Sequence, residues 1–97
     1  MIKFQRITTK DATLYNYMEQ LMTASFPSEE YRPLEELRNY TDTKTHFYCN
    51  IILHHDTPVG FITYWDFGHF YYVEHFAIDP SLRNGGHGKN VLNHLCQ

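Results

Sequence analysis

A basic surplus, a long apolar run and paired cysteines are all missing from this chain of 97 residues. Its 8 Lys and Arg stand against 11 Asp and Glu, for a formal charge of −3, and both signs are scattered along the sequence. That leaves no electrostatic footprint for nucleic acid or for an anionic membrane. No stretch approaches the ~18 consecutive apolar residues of a membrane span. The opening MIKFQRITTKD lacks the apolar centre of a secretory leader. A soluble protein of the cytoplasm is expected.

Cysteine is scarce as well. Cys49 and Cys96 lie far apart with no CxxC spacing, which reads as two reduced thiols packed as small hydrophobes rather than a disulfide framework. Cys49 has no basic neighbour in its strand, and Cys96 falls at a frayed helix end, so neither reads as a nucleophile. The 7 histidines do not make a metal centre either: His54 and His55 are adjacent, so a strand would aim them at opposite faces, and no HxxxH spacing occurs. No internal repeat or low-complexity tract is present.

What the chain does have is rings and alternation. Apolar residues make up 42% of it, and 8 Tyr with 7 Phe imply a modest core packed by large rings within a single domain, residues 1–97. Rings that alternate along strands read as core and half-buried packing rather than a base-stacking platform. Residues 2–7 alternate as a short first strand. Thr9 is placed to cap a helix running to about Ser25, with Leu14, Tyr17, Met18, Leu21, Met22 and Ser25 on one face and Asp11 in its first turn. Phe26-Pro27 ends that helix, and Pro33 opens a short second one marked by Leu34 and Leu37. Residues 41–44 carry loop chemistry. Residues 47–53, 59–67 and 70–78 then read as a three-strand antiparallel meander, with Gly60 marking a bulge or a close approach and Gly68-His69 a tight connection. Residues 88–97 form a last helix with Val91, Leu92, Leu95 and Cys96 on one face. The class is α+β: an antiparallel sheet of about four strands with three helices.

The densest signal lies between the last strand and the last helix. Phe70, Tyr72, Glu74, Phe76 and Ile78 share one strand face by alternation; Asp79-Pro80 turns the chain, and RNGGHGK opens the helix. Gly85, Gly86 and Gly88 let a ligand approach the backbone, and free N–H groups of the following helical turn face it with partial positive charge, so an anion belongs there. Two familiar phosphate loops fail on spacing. A Walker A loop needs glycine where Arg83 stands and Ser or Thr where Asn90 stands. A dinucleotide fingerprint read from Gly86 and Gly88 needs its third glycine at Val91.

Arg83, Asn84, Gly85, Gly86, His87 and Gly88 do fit the pattern R/QxxGxG/A after a strand ending in Ala77-Ile78. In this motif, and in its whole order of elements, the chain resembles the N-terminal part of the GNAT superfamily of acetyl-coenzyme A dependent N-acetyltransferases. FPSEEYRP after the first helix also looks like the segment that shapes the acceptor side in some members. The resemblance implies a truncated GNAT-like (acyl-CoA N-acyltransferase) fold. It implies that backbone N–H groups from Arg83 to Gly88 hold the pyrophosphate of coenzyme A, with Arg83 or Lys89 adding charge. It also implies that the strand backbone at Phe76, Ala77 and Ile78 pairs with pantetheine and sets an N–H on the thioester carbonyl.

The implied chemistry is direct attack of a neutral amine on acetyl-CoA, with a base to take the amine proton. Glu74 is the first candidate, because apolar neighbours would keep a carboxyl near neutrality; a solvated or ion-paired glutamate is the alternative. His75 offers an imidazole, a common general base, but from the opposite strand parity, and Tyr72 shares the face of Glu74 and could orient water. The family's fold continues with a strand, a helix and a hairpin that form the second wall of the cleft and carry the tyrosine that protonates the thiolate. The sequence ends at Gln97. The expectation is either a piece of a longer chain or a second wall supplied by another molecule, with the exposed edge of the 70–78 strand as a site for a homodimer. A second function class follows: a catalytically impaired coenzyme A binding or dimerising module.

Overall fold

A computed structural model describes residues 2–80. The first strand, β1 (Ile2–Arg6), leads into helix α1 (Ala12–Ser25), a single 3₁₀ turn at Ser28–Glu30 and helix α2 (Leu34–Thr43). Strands β2 (Phe47–His54), β3 (Thr57–Asp66) and β4 (Tyr71–Ile78) follow. The four strands form one sheet in the order β1-β2-β3-β4, antiparallel throughout. The expected meander is present, with β1 added beside β2. The predicted helix over 88–97 lies outside the described residues.

Helix α1 buries Tyr15, Met18, Leu21 and Met22, and α2 buries Leu37; together with Ile7, Phe47, Cys49, Ile51, Phe61 and Ala77 of the sheet they make the main core. Tyr15 was absent from the expected face, whereas Leu14 and Tyr17 sit half-buried at its margin. On the opposite face Ile52, Val59, Ile62 and Ile78 cluster with Phe4, Tyr64 and Phe76. Alternation therefore sorts neighbours such as Ile51 and Ile52, or Phe61 and Ile62, to opposite sides. The helices are tied by a bidentate pair, Arg38 Nε and Nη2 donating to Glu19 at 2.8 and 2.9 Å.

Three local expectations change. Thr9 does not cap α1: Asp11 occupies the cap position, and Asp11 Oδ2 accepts from the Thr8 N–H at 3.0 Å. Thr9 instead donates through its N–H and its hydroxyl to Asp42 near the end of α2, at 2.9 and 2.5 Å. Residues 41–43 are helical rather than loop. The Thr41 and Thr43 hydroxyls donate back to the carbonyls of Leu37 and Asn39, which satisfies polar groups that would otherwise favour a turn. Finally, the strands run on into the gap between 53 and 59, so the β2–β3 turn narrows to His55 and Asp56, both at positive φ (50° and 66°), a conformation that Asp tolerates because its short side chain can bond locally.

Two irregularities set the shape of β4. Gly60 opposes both Ile52 and Ile78 beside a register shift in β2–β3, and a Cβ placed on it would stand 2.3 Å from the Ala77 carbonyl oxygen. A side chain there would collide with backbone, so the close approach of β3 to β4 requires glycine. The second shift falls between Thr63 and Tyr64: Thr63 pairs with His75 and Tyr64 with Val73, leaving Glu74 as the extra residue of a β-bulge.

Candidate active site

The bulge reorders the side chains expected on β4. Beyond it, Ala77 packs in the main core on the helix side, while Phe76 and Ile78 pack on the other face. Tyr72 opposes Trp65, which packs against the main core, so its side chain projects to the helix side. Strict alternation would have put Phe70, Tyr72, Glu74, Phe76 and Ile78 together; the extra residue breaks that set. It also brings Glu74 and His75 to the same side, against the expected opposite parity. Glu74 reaches Arg32 and Trp65, and His75 reaches the segment after α1.

Glu74 is bound on both oxygens. Arg32 donates through Nε to Oε1 and through Nη2 to Oε2, each at 3.1 Å, and the Trp65 indole N–H donates to Oε2 at 2.8 Å. Its side chain is 11% exposed. The apolar surroundings expected for Glu74 are replaced by a guanidinium fork, because the chain between the 3₁₀ turn and α2 lays Arg32 across the strand. Arg32 also meets Glu36 at 3.5 Å and stands over the Tyr40 ring at 4.7 Å. This is the ion-paired arrangement that stood as the alternative for Glu74.

His75 is half-buried. Its Nε2 lies 2.8 Å from the Glu30 carbonyl oxygen, and its ring meets Phe26 edge-on with centroids 5.0 Å apart. A carbonyl only accepts, so Nε2 carries the proton in this contact. Phe26 and Glu30 both belong to the FPSEEYRP segment, so that stretch lies against β4.

Tyr72 is 58% exposed and continues into Tyr71, Phe70 and Phe67, exposed by 68%, 51% and 46%. Among the described residues β4 is the last strand of the sheet, so the backbone groups on its outer side face no further strand. At its end Tyr17 of α1 approaches Asp79, hydroxyl to Oδ2 at 3.4 Å. Burial, then the Asp79 carboxylate, pushes the Tyr17 phenol up to about 12. A phenol raised in the folded state favours folding below the ordinary tyrosine range near 10, and that contribution is lost as pH climbs through about 12. Denaturant melts are thus expected to show stability falling between pH 10 and 12, and falling less in Tyr17→Phe; an equal decline in both would remove Tyr17 as a cause.

The loop residues Arg83, Asn84, Gly85, Gly86, His87, Gly88 and Lys89 lie outside the described residues, whereas Phe76, Ala77 and Ile78 stand on the outermost described strand leading to them. Sequence reasoning missed Arg32, Trp65 and Tyr17. No local pattern links Arg32 to a carboxylate 42 positions away. Among the described residues no three His, Cys, Asp or Glu side chains converge as a metal site, and no helix is long and apolar enough to cross a membrane.

The described residues form a mixed fold in which two helices cover one face of a four-stranded antiparallel sheet whose last strand, β4, is bulged at Glu74. The model of the Acetyltransferase (GNAT) family matches residues 12–97, and the chain belongs to that family. It is 62% identical to a GNAT-family protein of Bacteroides thetaiotaomicron, named as a candidate acetyltransferase, with a TM-score of 0.95 over 97% of this chain and 53% of that one. The chain therefore spans about half the length of that relative. An aminoglycoside acetyltransferase, meta-AAC0020, from an uncultured soil metagenomic sample shares the fold. Its complex with sisomicin gives a TM-score of 0.66 at 20% identity, over 99% of this chain and 68% of that one. Its complex with trehalose gives 0.65 at 19%, over the same shares. No curated protein matches the chain.

Proposed function

We propose that this chain carries the coenzyme A half of an acetyl-CoA dependent N-acetyltransferase that passes acetyl to a primary amine of a small molecule or protein. The observation that supports it best is β4: an outermost described strand, bulged at Glu74 and followed in the sequence by RNGGHGK, in a chain of GNAT family membership. The backbone at Phe76 and Ala77, on the outer side of the last described strand, suits pairing with the amide-bearing pantetheine arm, and an N–H there meets the thioester oxygen where charge develops. Backbone N–H groups between Arg83 and Gly88 take the pyrophosphate, with Arg83 and Lys89 supplying positive charge. Acetyl-CoA supplies the activated acyl group; a base on the helix side of β4 takes the proton of the attacking amine. Cys49, a buried free thiol whose burial pushes it up to about 12, fits a reducing cytoplasm.

The exposed Phe67, Phe70, Tyr71 and Tyr72 on the open edge favour a second reading, a coenzyme A binding module that associates with another copy through this strand. One experiment separates the two. The intact 97-residue species, verified by mass, is mixed with acetyl-CoA and tyramine, spermidine or a lysine-containing peptide, and acetylated product is followed by mass spectrometry. Turnover is the expected result and removes the non-catalytic reading. Absence of product with all three amines contradicts catalysis by this chain.

A further inference from the structure

We propose that His75, not Glu74, is the base that takes the amine proton, with the Glu30 carbonyl as the contact that fixes the ring in the competent tautomer. The inference rests on the acetyl-transfer reading above and goes beyond it by assigning the proton.

Glu74 is spoken for. Both of its oxygens accept from Arg32, and Oε2 also accepts from Trp65. A proton arriving at Oε2 displaces one of these donors, and one arriving at Oε1 breaks the bidentate fork, so each turnover would open a contact that holds the 3₁₀ segment to the strand. The bulge that places Glu74 in this pair also brings His75 to the same side of the sheet.

His75 is arranged in the opposite way. Its Nε2–H donates to a backbone oxygen at 2.8 Å, which in the neutral ring leaves the lone pair on Nδ1. Nδ1 takes no hydrogen bond from a described residue, and the side chain is only half-buried. Phe26 against the ring restricts its rotation. One nitrogen is anchored by a group that cannot give up a proton, and the other is left as an acceptor with no partner among the described residues. Among the described residues, the charged groups beside it are Glu74, its neighbour in β4 with its Arg32 partner, and Glu30, whose side chain is exposed; Phe26 and Thr63 lie against it as neutral groups.

In the proposed step the amine nitrogen forms a bond to the acetyl carbon while the carbon–sulfur bond breaks and its electron pair leaves with the thiolate. The amine proton passes to Nδ1, giving an imidazolium whose two N–H groups are both donors, with Nε2–H still on the Glu30 carbonyl. Imidazolium then releases that proton to water, and the thiolate takes one from water, so the balance is amine plus thioester to amide plus thiol.

The test uses the full chain with acetyl-CoA and whichever of tyramine, spermidine or the lysine peptide is acetylated. His75→Gln keeps an amide N–H able to reach the Glu30 carbonyl but has no basic nitrogen. It is expected to melt with the wild type, to lose about 10²- to 10⁴-fold in kcat/KM, and to lose the rising limb of the pH–rate profile. Glu74→Gln is expected to lower the melting temperature and to keep that limb. If His75→Gln is poorly folded, His75→Ala with added imidazole replaces it, and recovery of rate supports the base role where a packing role predicts none. A His75→Gln rate within about threefold of wild type, or a rising limb lost only in Glu74→Gln, overturns the assignment. No turnover by the wild type sinks acetyl transfer itself, whereas wild-type turnover with an unaffected His75 variant sinks this inference alone. Nitrogen NMR of the wild type gives a readout independent of turnover: an Nε2–H tautomer supports the proposal, and an Nδ1–H tautomer overturns it.

Discussion

Gly60→Val is expected to lower the melting temperature by more than 10 °C, because its side chain has nowhere to go that is not backbone. The added Cβ meets the Ala77 carbonyl oxygen at 2.3 Å, Ile78 Cδ1 at 2.9 Å and Ile78 Cα at 3.1 Å. A flexible side chain could swing aside; a carbonyl in a sheet ladder cannot without breaking the ladder. Overpacking of this kind costs about 1–3 kcal/mol, and contact with a rigid group puts Gly60 at the upper end. At about 4–8 °C per kcal/mol for a domain of this size, the shift is easily read in a thermal melt. The displacement is also directed. It pushes β4 away at Ile78 and at Ala77, part of the backbone proposed to meet pantetheine, so any remaining folded protein should bind acetyl-CoA more weakly. Gly68 makes the contrast: its φ is +91° but nothing lies within 4 Å, so Gly68→Ala costs only the backbone conformation, about 1–2 kcal/mol. A Gly60→Val melt within about 2 °C of wild type would mean that β3 and β4 do not approach as described.

The same strand shows how far the sequence could be read. Alternation and turn residues were enough for the meander, because period-two burial is imposed by the pleat and Gly68 marks its own turn. Gly60 could be singled out, since a glycine inside a strand pattern signals a missing side chain with a reason. The bulge at Glu74 could not. Its extra residue is a glutamate with no glycine or proline beside it, and it exists only in the pairing of β4 with β3. Every face assignment past it was therefore reversed, and with it the relation of Glu74 to His75. The Arg32 fork shares this character. FPSEEYRP could be picked out by its resemblance to a segment of some family members, but which of its side chains meets β4 depends on a tertiary contact across 42 positions. Helix α2 was longer than its local chemistry suggested because Thr41 and Thr43 satisfy their hydroxyls within the helix. Thr9, a capping residue by type, was recruited by Asp42 instead.

The largest effect expected from a ligand is on stability. A molecule that binds only the folded chain stabilises it by about 2.7 kcal/mol at 100 times its dissociation constant, which for a domain of this size is on the order of 10 °C or more. Acetyl-CoA should do this through the glycine loop. Under the proposed reading, Gly86→Val puts a branched side chain into the glycine-rich sequence of Gly85, Gly86 and Gly88, where a glycine would let the backbone approach the pyrophosphate. The substitution separates loop binding from nonspecific stabilisation, since an anion bound elsewhere would be indifferent to it. It also separates cofactor binding from proton transfer, since His75→Gln should leave the shift in place.

The most direct measurement is therefore a thermal melt of the 97-residue chain with and without millimolar acetyl-CoA, run in parallel on wild type and Gly86→Val. A large upward shift in wild type that disappears in Gly86→Val is the expected result. No shift in wild type, or the same shift in both, would contradict a coenzyme A site on this loop.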